Sequence, residues 1–376
     1  MKIKETAAKS ILRKRKKIDS WFISHYGMNL YRGCYHNCIY CDGRAEKYQV
    51  DGNFGEEVVV KTNAIEILDR ELNPNRKRIP FKKSYFMIGG GVGDSYQPVE
   101  KKFQLTRKVL ELMLKYNYPV HVLTKSLMVQ RDIDLLEKIN ERSRAIVSFS
   151  FSSIDEKACS IFEPKVASPQ RRLDLIRKLK DKGIPCGLFL MPVIPYVTDS
   201  KEMMEETINQ TIEAGVDFII FSGMTLKQGR QRDYFIKKLD YYYPSLSKNY
   251  AKLYSNDKWG NASQKYYLKI SQDFSQIAKK YRIAKRIPPK FFRDILSVDD
   301  FIIVMLEQID YLSKMEGKPS PYGFAAYSLN RLERPISEMR NQLKKIKGVE
   351  TRTEKVILEL LDYGESSLYD DLSGCD

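Results

Sequence analysis

Three cysteines fall within eight residues, in the run Cys34-Tyr-His-Asn-Cys38-Ile-Tyr-Cys41. The spacing is C-x3-C-x2-C, and six cysteines are present in all. No stretch of about 18 apolar residues occurs, and the first residues lack the apolar core of a secretion signal. The chain is therefore expected to stay in the cytoplasm with no membrane association, where thiols are kept reduced. Reduced thiols crowded in this way read as metal ligands rather than as a disulfide framework. Three thiolates on one loop can hold three corners of a cuboidal [4Fe–4S] cluster and leave the fourth iron open to a chelating cosubstrate. The competing reading is a zinc site completed by His36 or Asp42. Structural zinc loops usually present two separated ligand pairs, and no second C-x-x-C pair exists here, which favours the cluster.

Such a loop must be held by a rigid frame, and the rest of the sequence supplies one. Residues 21–30 read as a strand running into the cysteine loop, and 84–88 as a short apolar strand ended by Gly89-Gly90-Gly91. Alternating pieces follow: a helical period over 99–115, strands at 120–123, 145–149, 187–191 and 218–221, and helices near 132–140, 171–182 and 201–214. About six β/α units fit between residues 21 and 225, fewer than the eight of a closed barrel. The fold class is thus α/β, a partial (β/α)6 barrel followed by a mainly helical C-terminal region. Three parts are expected: a basic arm over 1–20, the barrel with a tyrosine-rich extension over 21–287, and a helical domain over 288–376. The extension carries nine tyrosines between 234 and 281 among lysines and arginines. Rings in that setting stack on unpaired bases or, more commonly, pack a layer over a core.

The cysteine spacing, with an aromatic residue before the third cysteine, resembles the signature of the radical S-adenosylmethionine superfamily. Further motifs resemble its branch containing spore photoproduct lyase. They are Tyr31-Arg-Gly-Cys34, Gly93-Asp-Ser-Tyr-Gln-Pro98, Val122-Leu-Thr-Lys-Ser126, Glu163-Pro164 with Arg171, and Met191-Pro-Val-Ile-Pro195 with Asp199. The resemblance runs from about residue 28 to 225. It implies a [4Fe–4S] cluster on Cys34, Cys38 and Cys41, with S-adenosylmethionine as cosubstrate. It also implies reductive cleavage to a 5′-deoxyadenosyl radical that abstracts hydrogen from a substrate, with a flavodoxin or ferredoxin as electron donor. By the same resemblance, the backbone of Gly89, Gly90 and Gly91 binds the methionine amine and Lys125 pairs with the cosubstrate carboxylate. Tyr40 borders the adenine, and Ser148 and Ser150 contact ribose or carboxylate. Asp94 either bonds a bound molecule or caps the next helix. Two positions depart from the lyases of that branch: Gly91 stands where they return hydrogen through a cysteine, and Asp42 where they carry a tyrosine. Tyr96 and Cys159, both after strands, are the candidate replacement donors. Cys186 begins its strand and reads as core.

Charge points to a partner. Sixty-four Lys and Arg against 48 Asp and Glu leave a net +16, which favours a polyanion, nucleic acid first and an anionic membrane second, and DNA is the nucleic acid expected ahead of RNA. The run 343–360 resembles a helix-hairpin-helix of DNA-repair proteins, with Gly348 in the turn but Glu350 where a second glycine is usual. A radical enzyme that alters a DNA base lesion is the expected function. An enzyme modifying RNA or a peptide is the alternative within the same chemistry, and a non-enzymatic, metal-stabilised nucleic-acid-binding protein is the alternative outside it.

Overall fold

Apolar runs become strands and amphipathic runs become helices largely where the sequence puts them. The computed structural model describes residues 2–374 other than 49–53, 91, 256 and 258. Its strands are β1 (Lys2–Thr6), β2 (Leu12–Asp19), β3 (Ser24–Met28), β4 (Tyr31–Arg32), β5 (Glu57–Lys61), β6 (Tyr85–Ile88), β7 (Val120–Thr124), β8 (Ala145–Phe151), β9 (Cys186–Val193) and β10 (Phe218–Gly223). One sheet has the order β10-β9-β8-β7-β6-β3-β2 and a small one the order β1-β5-β4. From β3 to β10 every neighbour in the large sheet is parallel, giving the six strands of an open (β/α)6 barrel.

The strands are buried on both faces, as parallel strands require. Along β8, Val147, Phe149 and Phe151 join the core under the outer helices. Ile146 faces the barrel interior beside Tyr85, Phe189, Phe218 and Ile220. The period of two puts Ser148 and Ser150 on that inner side as well.

What fills the interior comes from the C-terminal region. Helix Val298–Met315 is apolar on most of its surface because it packs into the barrel as well as against neighbouring helices. Asp300 of that helix lies 3.0 Å from His25 Nε2 on β3, and Tyr311 donates to the Phe221 carbonyl on β10 at 3.0 Å. The C-terminal region is mainly helical as expected, and its described residues share one core with the strands. The turn at Gly348 joins a ten-residue 3-10 run, Ile336–Lys345, to helix Thr351–Asp362. Gly348 has a φ of +87°, and a Cβ there would meet the Phe324 ring.

Two expectations are corrected. The basic segment 1–20 is not a free arm: β1 pairs with β5 and β2 pairs antiparallel with β3. Several of its cations are engaged locally, Lys4 with Glu57 at 2.6 Å, Arg15 with Asp19, and Lys17 with Glu307. A lysine-rich outer strand also guards a sheet edge against pairing with another chain. The expected helix over 99–115 is two helices, Glu100–Phe103 and Leu105–Tyr116, with Gln104 left-handed between them. The buried Glu100 carboxylate accepts from the Thr106 N–H at 3.0 Å and so starts the second helix.

His121 sits on the barrel floor with Nε2 at 2.8 Å from Ser148 Oγ and its ring near Phe22 and Phe189. Burial pushes its pKa down from 6.5 to about 4. Between those values the unfolded chain takes up a proton that the folded chain refuses, so stability must fall as pH drops from 6.5 toward 4. The loss from this one group should approach about 3 kcal/mol. Urea midpoints measured across that interval should fall less steeply for His121→Gln than for the wild type.

Candidate active site

Cys34, Cys38 and Cys41 follow β4 on a loop that lies over the C-terminal ends of the strands, the end that carries chemistry in β/α barrels. Cys34 and Cys38 are buried and Cys41 is partly so. All three line one cavity of about 400 Å3, together with Tyr40, Asp42, Gly89, Asp94, Lys125 and Ser150. Burial pushes all three thiols above the ordinary value, Cys34 to about 12.

Local contacts fix the loop. Arg44 donates from Nε to the Cys38 carbonyl at 3.1 Å and stacks 3.6 Å from the Tyr234 ring centroid. The Gly43 N–H points at Cys41 Sγ at 3.4 Å. Ile39 and Tyr40 pack under Phe235, Tyr250 and Tyr254, so the tyrosine-rich extension forms the roof of the cysteine loop. Tyr250 and Tyr254 donate to the carbonyls of Pro195 and Met224 at 2.6 and 3.0 Å.

Asp94 ties the loop to the barrel. Its carboxylate accepts from Thr124 Oγ1 at 2.8 Å and from the backbone N–H groups of Tyr96 and Lys125, each at 2.8 Å. His36 Nε2, inside the cysteine loop, lies 3.0 Å away. Burial alone would raise the Asp94 carboxyl, but these bonds outweigh it and hold it low. Asp94 thus lines the cavity with its acceptor sites spent on protein groups, and the helix-cap reading is replaced by this bridge.

A second network holds Lys125. Its Nζ lies 2.9 Å from Glu163 Oε1 and 3.1 Å from the Ser150 carbonyl, and 5.7 Å from the Tyr40 ring centroid. Glu163 also accepts from the Tyr40 hydroxyl and forms an ion pair with Arg172 at 3.0 Å. Burial pushes Glu163 up, but Lys125 and Arg172 overcome it and bring the carboxyl down to about 2.

The sequence-predicted residues are thereby sorted. Tyr40, Gly89, Asp94, Lys125 and Ser150 face the cavity with the three cysteines. Gly90 sits over Met87 instead, and Gly91 lies outside the described residues. Gly89 has a φ of +88°, and a Cβ there would reach 2.4 Å from the Leu123 carbonyl, so only glycine lets this loop settle on β7. Ser148 is spent on His121 two residues below Ser150, away from the cavity. Tyr96 is fully buried in the outer core near Asp132. Cys159 lies behind Glu163, 4.0 Å from Arg172. Neither proposed donor lines the cavity: Tyr96, in the turn after β6, packs into the outer core, and Cys159 sits on helix Glu156–Phe162 behind Glu163. Arg172, and not Arg171, is the buried partner of Glu163. The helical period would have found it, since Arg172 shares a face with Ile176 and Leu179.

The donor set fits a cluster with an open position better than zinc. His36 is held by Asp94, and Asp42, the other candidate fourth ligand, pairs with Lys227 at 2.5 Å. Among the described residues no three of His, Cys, Asp and Glu converge on a single ion. Reconstituted protein is expected to hold about four irons and four sulfides per chain. Changing Cys34, Cys38 or Cys41 to Ala should abolish them. Asp94→Ala keeps every thiol, yet it unpairs four buried donors and should cost about 3 kcal/mol or more in stability. Iron content measured after reconstitution should fall with it.

A family model described as the Radical SAM superfamily matches residues 28–225. An uncharacterised protein of Mycobacterium tuberculosis is 29% identical over 263 residues, covering 69% of this chain and 75% of its own. An uncharacterised protein of Methanocaldococcus jannaschii is 30% identical over 214 residues, 57% of this chain and 75% of its own. Among solved structures, spore photoproduct lyase complexed with dinucleoside spore photoproduct shares the fold at a TM-score of 0.55 and 16% identity. That match covers 77% of this chain and 79% of the lyase. A double variant of the lyase holds AdoMet together with the dinucleoside. With the motif, the barrel and the family match in agreement, this chain belongs to the radical SAM superfamily, whose cofactors are a [4Fe–4S] cluster and S-adenosylmethionine.

Proposed function

We propose that this radical SAM enzyme acts on nucleic acid, altering or reversing a base lesion in DNA. The observation that carries the reading is the cavity, in which two buried thiols, a partly buried third, a lysine and a glycine-lined wall share one space. When bound, the cluster and its cosubstrate supply one-electron cleavage of a sulfonium C–S bond and a radical that takes hydrogen from the substrate.

The chain's own residues bind, orient and exclude water. Cys34, Cys38 and Cys41 hold three irons. Lys125 offers its ammonium to the cosubstrate carboxylate, while Glu163 and Arg172 fix where that ammonium stands. Gly89 and Gly93 present backbone to the cavity without side chains. Ser150 is held by the Met191 carbonyl at 3.0 Å, which leaves its hydroxyl oxygen free to accept. Tyr40, pinned by Glu163, gives an aromatic wall. Asp42, joined to Thr225 Oγ1 at 2.7 Å and to Lys227, spans from the cysteine loop to the end of β10 and closes the top of the open barrel.

The choice of substrate class is supported by the net charge of +16 and by the like-folded lyase with its dinucleoside lesion. Neither Tyr96 nor Cys159 serves as hydrogen donor in this reading, because both lie outside the cavity.

Two measurements test it. Lys125→Ala should weaken S-adenosylmethionine binding tenfold or more, the worth of a charge-assisted carboxylate contact, while iron content stays at the wild-type level. Unchanged affinity would remove Lys125 from the cosubstrate site. Incubation with reductant, S-adenosylmethionine and ultraviolet-damaged DNA should yield 5′-deoxyadenosine and a changed lesion content by mass spectrometry. Cleavage of the cosubstrate with every DNA and RNA left intact would overturn the nucleic-acid reading and turn attention to a peptide.

A further inference from the structure

The open side of the barrel carries a second feature, far down its flank from the cysteines. A groove of about 1280 Å3 runs between β2 and the helices Gln264–Lys280 and Val298–Met315. Arg286 lines it and is only 3% exposed. Its Nε and Nη1 are buried and donate to nothing among the described residues. The guanidinium lies 4.3 Å from the Trp21 ring centroid and 3.7 Å from that of Tyr311.

Each carboxylate of the groove has a cationic partner, and Asp310 Oδ1 alone of their oxygens is buried and accepts from nothing among the described residues. Asp19 pairs with Arg15, Glu307 with Lys17, and Asp310 with Lys314 at 2.7 Å. Asp19 and Glu307 act on Arg286 through space, but neither bonds it. Arg286 is therefore the surplus charge of the groove, and burial pushes its pKa below the ordinary arginine value. A buried guanidinium with unmet N–H groups is costly to maintain unless an anion completes it. Its planar fork suits a phosphate oxygen pair. Trp21 and the half-exposed Tyr267 add ring surface of the kind on which bases stack.

A third opening lies between the groove and the cysteine cavity. This opening of about 660 Å3 shares Gly223, Met224 and Thr225 with the cavity, and Gln264 and Tyr267 with the groove. The opening thus borders both the groove and the cavity.

We propose that the groove binds a phosphate group, with Arg286 as its fork, and that this phosphate belongs to the nucleic-acid strand whose reacting unit enters the cysteine cavity. The second half rests on the function proposed above. A strand laid along the open side keeps its backbone in the groove and extends one nucleotide toward the cluster.

The test uses the reconstituted full chain. Binding of a labelled short DNA strand is followed by anisotropy across a potassium chloride series, and binding of inorganic phosphate by calorimetry. Arg286→Gln should weaken strand binding about tenfold and lower the salt slope by about one, while Arg286→Lys should retain part of the affinity. A folded Arg286→Gln with wild-type affinity and slope overturns the groove and leaves the nucleic-acid function standing. A wild type that binds no strand but binds phosphate, with that binding lost in Arg286→Gln, keeps the subsite and overturns the function. Binding of neither overturns both. Should Arg286→Gln lose its circular-dichroism melt, Lys314→Glu on the exposed rim should weaken strand binding several-fold, and no change there overturns the proposal.

Discussion

The site depends on one buried carboxylate. Asp94 accepts simultaneously from His36 in the cysteine loop, from the Tyr96 N–H beyond the glycine turn, and from Thr124 and the Lys125 N–H at the end of β7. A cluster loop has little regular structure, and its three thiols must hold their separations while remaining open on one side. A charged acceptor shared by three segments supplies that rigidity, because each N–H or O–H gained offsets part of the burial cost of the charge. Removing any one donor leaves the carboxylate under-satisfied, so the segments are coupled.

Around this point the barrel divides its labour by height. At the floor, His121, Phe22, Phe189 and Ser148 fill the interior, and helix Val298–Met315 covers them from beneath. At the rim the same inward-facing rows turn polar, with Lys125 on β7's end and Ser150 on β8. The inner rows therefore change from packing to chemistry within two residues of one strand. The helical C-terminal region is what permits an open barrel to be stable, since six strands alone leave the interior wet.

Lys125 shows why a cation near such a site needs an anchor. A lysine stem is flexible and its ammonium strongly hydrated. Glu163 holds it in place, and Arg172 pairs with the same carboxylate, so the three groups together keep a net positive charge beside the cavity. Tyr40 completes the network from the cysteine loop itself, so the position of the ammonium is tied to the position of the thiols.

The sequence by itself determined the features that are local along the chain. The C-x3-C-x2-C spacing and the six alternating strands and helices depend on neighbours within a few residues, where spacing and side-chain period are decisive. Only the tertiary structure decided which distant groups meet. Asp94 finds His36 from 58 residues away and Glu163 finds Tyr40 from 123. Such pairings depend on which faces pack, and a carboxylate's type does not name its partner. For the same reason the lysine-rich start of the chain read as a free arm: its composition is that of a solvated tail, while its place as the outer strand of the sheet follows from an edge on β3 left for it to pair. Tyr96 and Cys159 fell out of the site because positions after strands share an end of the barrel without sharing its interior. The turn that carries Tyr96 and the helix that carries Cys159 are each placed by their own apolar contacts, which decide the side they present.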